Sequence, residues 1–111
     1  MRLRADIWVS AYIRRCEVEG AVAVLRRRGA AEAGAVFVKL DCLDGRAALF
    51  SPAPQSEMQQ GQDRAFARAH AEEWRMPMDI ETMLAREIRF DPDIWIVEVE
   101  DRAGRCFLDL V

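Results

Sequence analysis

Ile94-Trp95-Ile96-Val97-Glu98-Val99-Glu100 is the clearest strand in this sequence, a β-branched and aromatic run whose successive side chains fall on opposite sides of a pleated sheet. Trp95, Val97 and Val99 make one side apolar, and Ile96, Glu98 and Glu100 make the other mixed. Asp91-Pro92-Asp93 stands just before it and stops any preceding helix, because the residue ahead of a proline avoids the α conformation. Asp101-Arg102-Ala103-Gly104 follows as a turn into a last strand, Arg105 to Leu110.

The same two-way split applies to the other β-rich runs. Ala21 to Arg27 and Ala35 to Asp41 read as a hairpin, joined by a connector in which Gly29 and Gly34 can supply positive φ. Arg46 to Phe50, after the turn dipeptide Asp44-Gly45, folds back as a third strand of a meander. Arg64 to Ala71 has helix-forming composition but alternates with period two, and we read it as a strand. Ser51 to Asp63 reads as an exposed loop rich in Pro and Gln.

Two helices complete the pattern. Asp6 to Glu19 places Ile7, Trp8, Ala11, Tyr12 and Cys16 at helical spacing, with Asp6 as N-cap and Gly20 just past the C-terminus. Ile80 to Phe90 presents Ile80, Met83, Leu84 and Ile88 on one face, with Asp79 as N-cap. The apolar strand sets are then Val22 and Val24; Val36, Val38 and Leu40; Ala65, Ala67 and Ala69; and Trp95, Val97 and Val99. The expected fold is α+β, one domain over residues 1–111. It has an antiparallel, meander-like sheet of about five strands, both helices on its apolar face and the mixed face left partly open.

The composition is that of an ordinary globular chain: 111 residues, 51% hydrophobic, 32% charged, net charge −3. Lys39 is the only lysine, so almost every cation is an arginine, suited to bidentate pairing. No apolar run reaches the ~18 residues of a membrane span. Cys16, Cys42 and Cys106 are odd in number and far apart, which fits reduced thiols in a cytoplasmic protein.

Three stretches also resemble a known family: the helix from Trp8 to Gly20, the step from Val24-Leu25-Arg26-Arg27-Arg28-Gly29 into Ala33-Gly34-Ala35-Val36, and above all Phe90 to Arg102 with its Asp-Pro-Asp-x-Trp segment. The family is the bacterial, mainly alphaproteobacterial, domain of unknown function 1491. The resemblance spans nearly the whole chain and implies no activity, cofactor or catalytic residue.

Candidate chemistry is sparse. Arg26, Arg27 and Arg28, with Arg64 and Arg68, could grip a small anion, or could answer Asp41, Glu98 and Glu100 across the sheet. Asp91, Asp93, Glu98 and Glu100 could gather around a cation, or could shape a turn and pair with arginines. His70, the only histidine, would need Cys16, Cys42 or Cys106 beside it to make a nucleophile, and no motif says so. No phosphate loop, dinucleotide fingerprint or metal signature is present, so neither cofactor nor metal is expected. The acidic balance argues against a nucleic-acid partner. On the mixed face, Phe37, Phe66 and Ile96 with Leu25 form an apolar centre rimmed by Arg27, Arg64, Arg68, Glu98 and Glu100, the anatomy of a contact surface. The sequence therefore points to a non-catalytic domain that binds a protein partner or a second copy through this face or an exposed edge strand. A small-anion site on Arg27, Arg64 and Arg68 is the alternative.

Overall fold

The computed structural model describes residues 2–54 and 64–111. Its elements run α1 (Ala5–Val18), β1 (Val22–Arg27), β2 (Val36–Asp41), β3 (Ala47–Pro52), β4 (Phe66–Arg68), α2 (Pro77–Phe90) and β5 (Trp95–Glu100). The five strands form one sheet in the order β1-β5-β2-β3-β4. The sheet is mixed rather than antiparallel, because β5 is antiparallel to β1 and parallel to β2.

The expected β1–β2 hairpin does not form, and the connector explains why. Ala30 N–H donates to the carbonyl of Asp93 at 2.9 Å, and the Trp95 indole N–H donates to the carbonyl of Ala30 at 2.8 Å. The connector is thus stapled across the entry to β5, which slots between β1 and β2. Gly29 and Gly34 are needed for this close approach and not for positive φ: a Cβ on Gly29 would collide with the carbonyl oxygen of Asp93, and one on Gly34 would sit 2.6 Å from it. The β2–β3 hairpin does form, with Gly45 at φ +93 in its turn.

The two helices lie on opposite faces of the sheet, correcting the one-face arrangement. Val9, Tyr12 and Cys16 of α1 bury against Val36, Val38, Leu40, Phe50, Trp95, Val97 and Val99. On the other face Ile80 and Leu84 of α2 bury against Phe37, Ala47, Leu49, Ile94 and Ile96. The mixed side of the sheet holds enough apolar surface at its centre to take a helix, and α2 covers it. The helical stripe expected on α2 is the one observed, with Met83 and Ile88 partly buried beside Ile80 and Leu84.

The helix ends differ from the expected caps. Arg4 and Met76 take the N-cap positions, and neither α1 nor α2 has a side-chain cap. Pro77 begins α2, where a missing N–H costs nothing. Gly20 ends α1 as expected, at φ +90, with its N–H on the Glu17 carbonyl and that of Ala21 on the Cys16 carbonyl, the double-bonded glycine stop. This tight exit sets the phase of β1. Ala21 and Ala23 turn inward into the α1-side core while Val22 and Val24 turn to the other face, the reverse of the expected set.

β4 is also out of phase. Phe66 is in the α1-side core, whereas Ala67 is half-buried and Ala69 exposed. Residues 105–110 are not a strand. They cross the α1 side, where Cys106, Phe107 and Leu108 pack on the core and Leu110 forms an isolated bridge to Phe66, and Phe107 turns the chain at φ 57. The expected loop from Ser51 to Asp63 begins inside β3, and its residues 55–63 lie outside the described residues.

Candidate functional site

The residues expected to share one surface are distributed over the molecule. Phe37 and Ile96 are buried under α2, and Phe66 is buried on the opposite face among α1 residues. Arg27 ends β1 and donates to the Pro92 carbonyl at 2.7 Å. Arg68 donates to the Glu73 carbonyl at 2.8 Å and lies over the rings of Phe50 and Trp74. Arg64 is buried beside Trp8 and donates to the Leu3 carbonyl at 3.2 Å. The three arginines proposed to hold an anion do not converge.

Asp91 accepts a hydrogen bond from the Asp93 N–H at 3.0 Å, the local bond that shapes the turn after α2. Among the described residues no group of three or more His, Cys, Asp and Glu could hold a metal ion. His70 accepts the Leu49 N–H at Nε2, 3.0 Å, and donates from Nδ1 to the Glu72 carbonyl, 2.8 Å. Its ring thus continues the β3 ladder past the end of β4. Burial pushes the thiols of Cys16, Cys42 and Cys106 up, away from the thiolate a nucleophile requires.

Two features stand in place of the expected face. The first is an ion network joining β1 and α2. Arg26 donates to both oxygens of Glu81 at 2.7 Å and to Glu98 at 3.0 Å, and buried Lys39 donates to Glu81 at 2.6 Å. Bonds from the Arg26 guanidinium, and then from Lys39, hold the Glu81 carboxyl down at about 2. Glu81 escaped the sequence reading. Its signal was its position in the first turns of α2, next to the core residue Ile80.

The second is the free edge at β1. The sheet has two edges, and they are treated differently. β4 is three residues long and its outer side is closed by the C-terminal segment, the Phe66 N–H donating to Asp109 and the Phe66 carbonyl accepting from Val111. β1 is six residues long and, among the described residues, its only strand partner is β5. Val22, Val24 and Leu25 on it are 55%, 49% and 40% exposed. Arginines and the irregularity between Leu25 and Arg27 guard its C-terminal half, and residues 22–25 carry no charge, proline or bulge.

A cleft of about 230 Å³ also opens between α1 and the C-terminal segment, walled by Trp8, Tyr12, Phe107 and Leu108 with Arg15 and Arg64 at its border. Trp8 and Tyr12 stack at 5.0 Å, and the Tyr12 hydroxyl donates to the Cys106 carbonyl at 2.6 Å.

These features define a small α+β protein with a helix on each face of a five-stranded mixed sheet and one sheet edge open. The chain belongs to the family described as "Protein of unknown function (DUF1491)", whose profile matches residues 3–109. It is similar over its whole length to three solved structures. A crystal structure of a DUF1491 family protein from Caulobacter crescentus CB15 is 42% identical, with 99% of that chain covered and a TM-score of 0.81. The solution structure of protein Atu0922 from A. tumefaciens is 39% identical, with 96% covered and a TM-score of 0.84. An NMR structure of a DUF1491 family protein from Caulobacter crescentus CB15 is 42% identical, with 98% covered and a TM-score of 0.80. Both organisms are alphaproteobacteria. No match was found among curated proteins, and among the described residues no helix is long and apolar enough to cross a membrane.

Proposed function

We propose that this protein is a cytoplasmic interaction domain that works by strand addition, its β1 edge taking an extended strand from a protein partner. The reading is carried by the contrast between the two sheet edges: β4 is closed by the chain's own C-terminal segment, whereas residues 22–25 leave backbone donors and acceptors and two valine side chains open. Backbone pairing supplies affinity in such complexes, and alternate side chains supply selectivity. A photo-crosslinking residue at position 22, introduced in the native host, is expected to give a discrete protein adduct, and the same residue at Arg86 on α2 is expected to give none. Equal labelling at both positions, or none at either, overturns the reading.

A second reading rests on the aromatic cleft beside α1. Its apolar walls, bordered by Arg15, Arg64 and Asp109, suit a small ligand with a flat apolar body and a polar end. Indole-3-acetate is expected to give a saturable calorimetric binding isotherm with the parent protein and none with Ala11→Trp, which fills the cleft. Absence of saturable heat with the parent removes this reading.

A further inference from the structure

We infer that the strand added to β1 is β1 of a second copy, running antiparallel about a two-fold axis near Val24. This inference rests on the strand-addition reading and goes further by naming the partner.

The charge order along β1 carries it. The strand is preceded by Glu17 and Glu19, and Glu100 lies beside Val22 on the neighbouring strand; it ends in Arg26-Arg27-Arg28. Its polarity therefore runs from acidic to basic with six uncharged residues, 20–25, between Glu19 and Arg26. Antiparallel self-pairing sets the basic end of each copy against the acidic end of the other, twice by symmetry. Parallel self-pairing would stack like on like.

Among the described residues, Glu17, Glu19 and Glu100 form no ion pair, and neither do Arg27, which donates to the Pro92 carbonyl, and Arg28, which lies over the Trp95 ring; Arg26 is held within its own chain by Glu81 and Glu98. Val22 and Val24 share the face that carries Glu98 and Glu100, and Leu25 lies on the other face with Val97. Pairing about Val24 thus covers apolar side chains on both sides of the joined sheet. The result is a ten-stranded sheet whose two ends are the closed β4 edges.

Sedimentation equilibrium on the full chain tests this. The expected result is a monomer–dimer equilibrium that weakens with salt. Val24→Lys should lower the association constant at least tenfold, and because Val24 is half-exposed the variant should keep the parent circular dichroism. Arg28→Glu and Glu19→Arg should each weaken association, and the two together should restore it, since the swapped ends again complement each other. Hydrogen exchange needs no variant: the outward β1 amides should gain protection as concentration rises, and those of α2 should not.

A strict monomer at every concentration, or a dimer indifferent to Val24→Lys and to both charge reversals, overturns the inference. A monomer that still gives an adduct with a different protein from position 22 overturns self-pairing and leaves strand addition standing. A monomer with no adduct removes both.

Discussion

Gly29 shows how one missing carbon selects a topology. Any side chain there would enter the space of the Asp93 carbonyl, the Ile94 backbone and the Trp95 indole, so the connector could not lie across the start of β5. Gly29→Ala is expected to lower stability by roughly 2 to 3 kcal/mol, the range of an overpacked core site. Gly45→Ala meets no atom within 4 Å and strains only a positive-φ backbone, for about 1 kcal/mol. Urea unfolding of both variants orders them. A Gly45→Ala loss equal to or above that of Gly29→Ala would show that the glycine is not there for clearance. The sequence advertises both glycines equally, and period and composition favour the turn reading. What distinguishes Gly29 is a contact with residues more than sixty positions away, which no local pattern can carry.

At the scale of elements, α2 is fastened to the sheet by oil and by charge. Ile80 and Leu84 fill the apolar centre, and Glu81 beside them takes Arg26 from β1 and Lys39 from β2. The Glu81 carboxyl is lowered from 4.5 to about 2, so the folded state prefers it ionised. The resulting stabilisation is complete above pH 4.5 and is lost as pH falls through 2. Glu81→Gln should melt below the parent at pH 6, and the gap should close progressively between pH 4.5 and pH 2. A gap constant across that window would mean that the amide loses packing and not charge. Most elements could be read from sequence because period is local: β2, β3, β5 and the apolar stripe of α2 stand where alternation and helical spacing put them. The phase of β1 could not, since Val22 and Val24 look like core residues until the tight exit from α1 at Gly20 delivers Ala21 and Ala23 to the core instead. The contact face failed for the same cause. Phe37, Ile96, Glu98 and Lys39 do share one side, but the side was already occupied by α2.

The whole molecule is organised around its two sheet edges, and this is where sequence was least informative. Strand order is a property of pairing between distant segments, and the segment that closes β4 reads as a strand from Arg105 to Leu110 although it makes only a single bridge. Its role appears only once Phe66 is seen bonded on its outer side to Asp109 and Val111. The closure has a consequence for assembly. A sheet with one open edge can add one copy and stop, whereas a sheet with two open edges can add copies at both ends without limit. Removing residues 109–111 takes away both bonds to Phe66 and leaves β4 unprotected. The truncated chain is expected to pass beyond the dimer into larger species whose scattering mass grows with concentration. Adding Val24→Lys to the truncation should block the β1 edge, leave β4 the one open edge and return the growth to a single step. Unchanged scattering mass on truncation would mean that three residues of β4, even uncovered, are too short to recruit a strand.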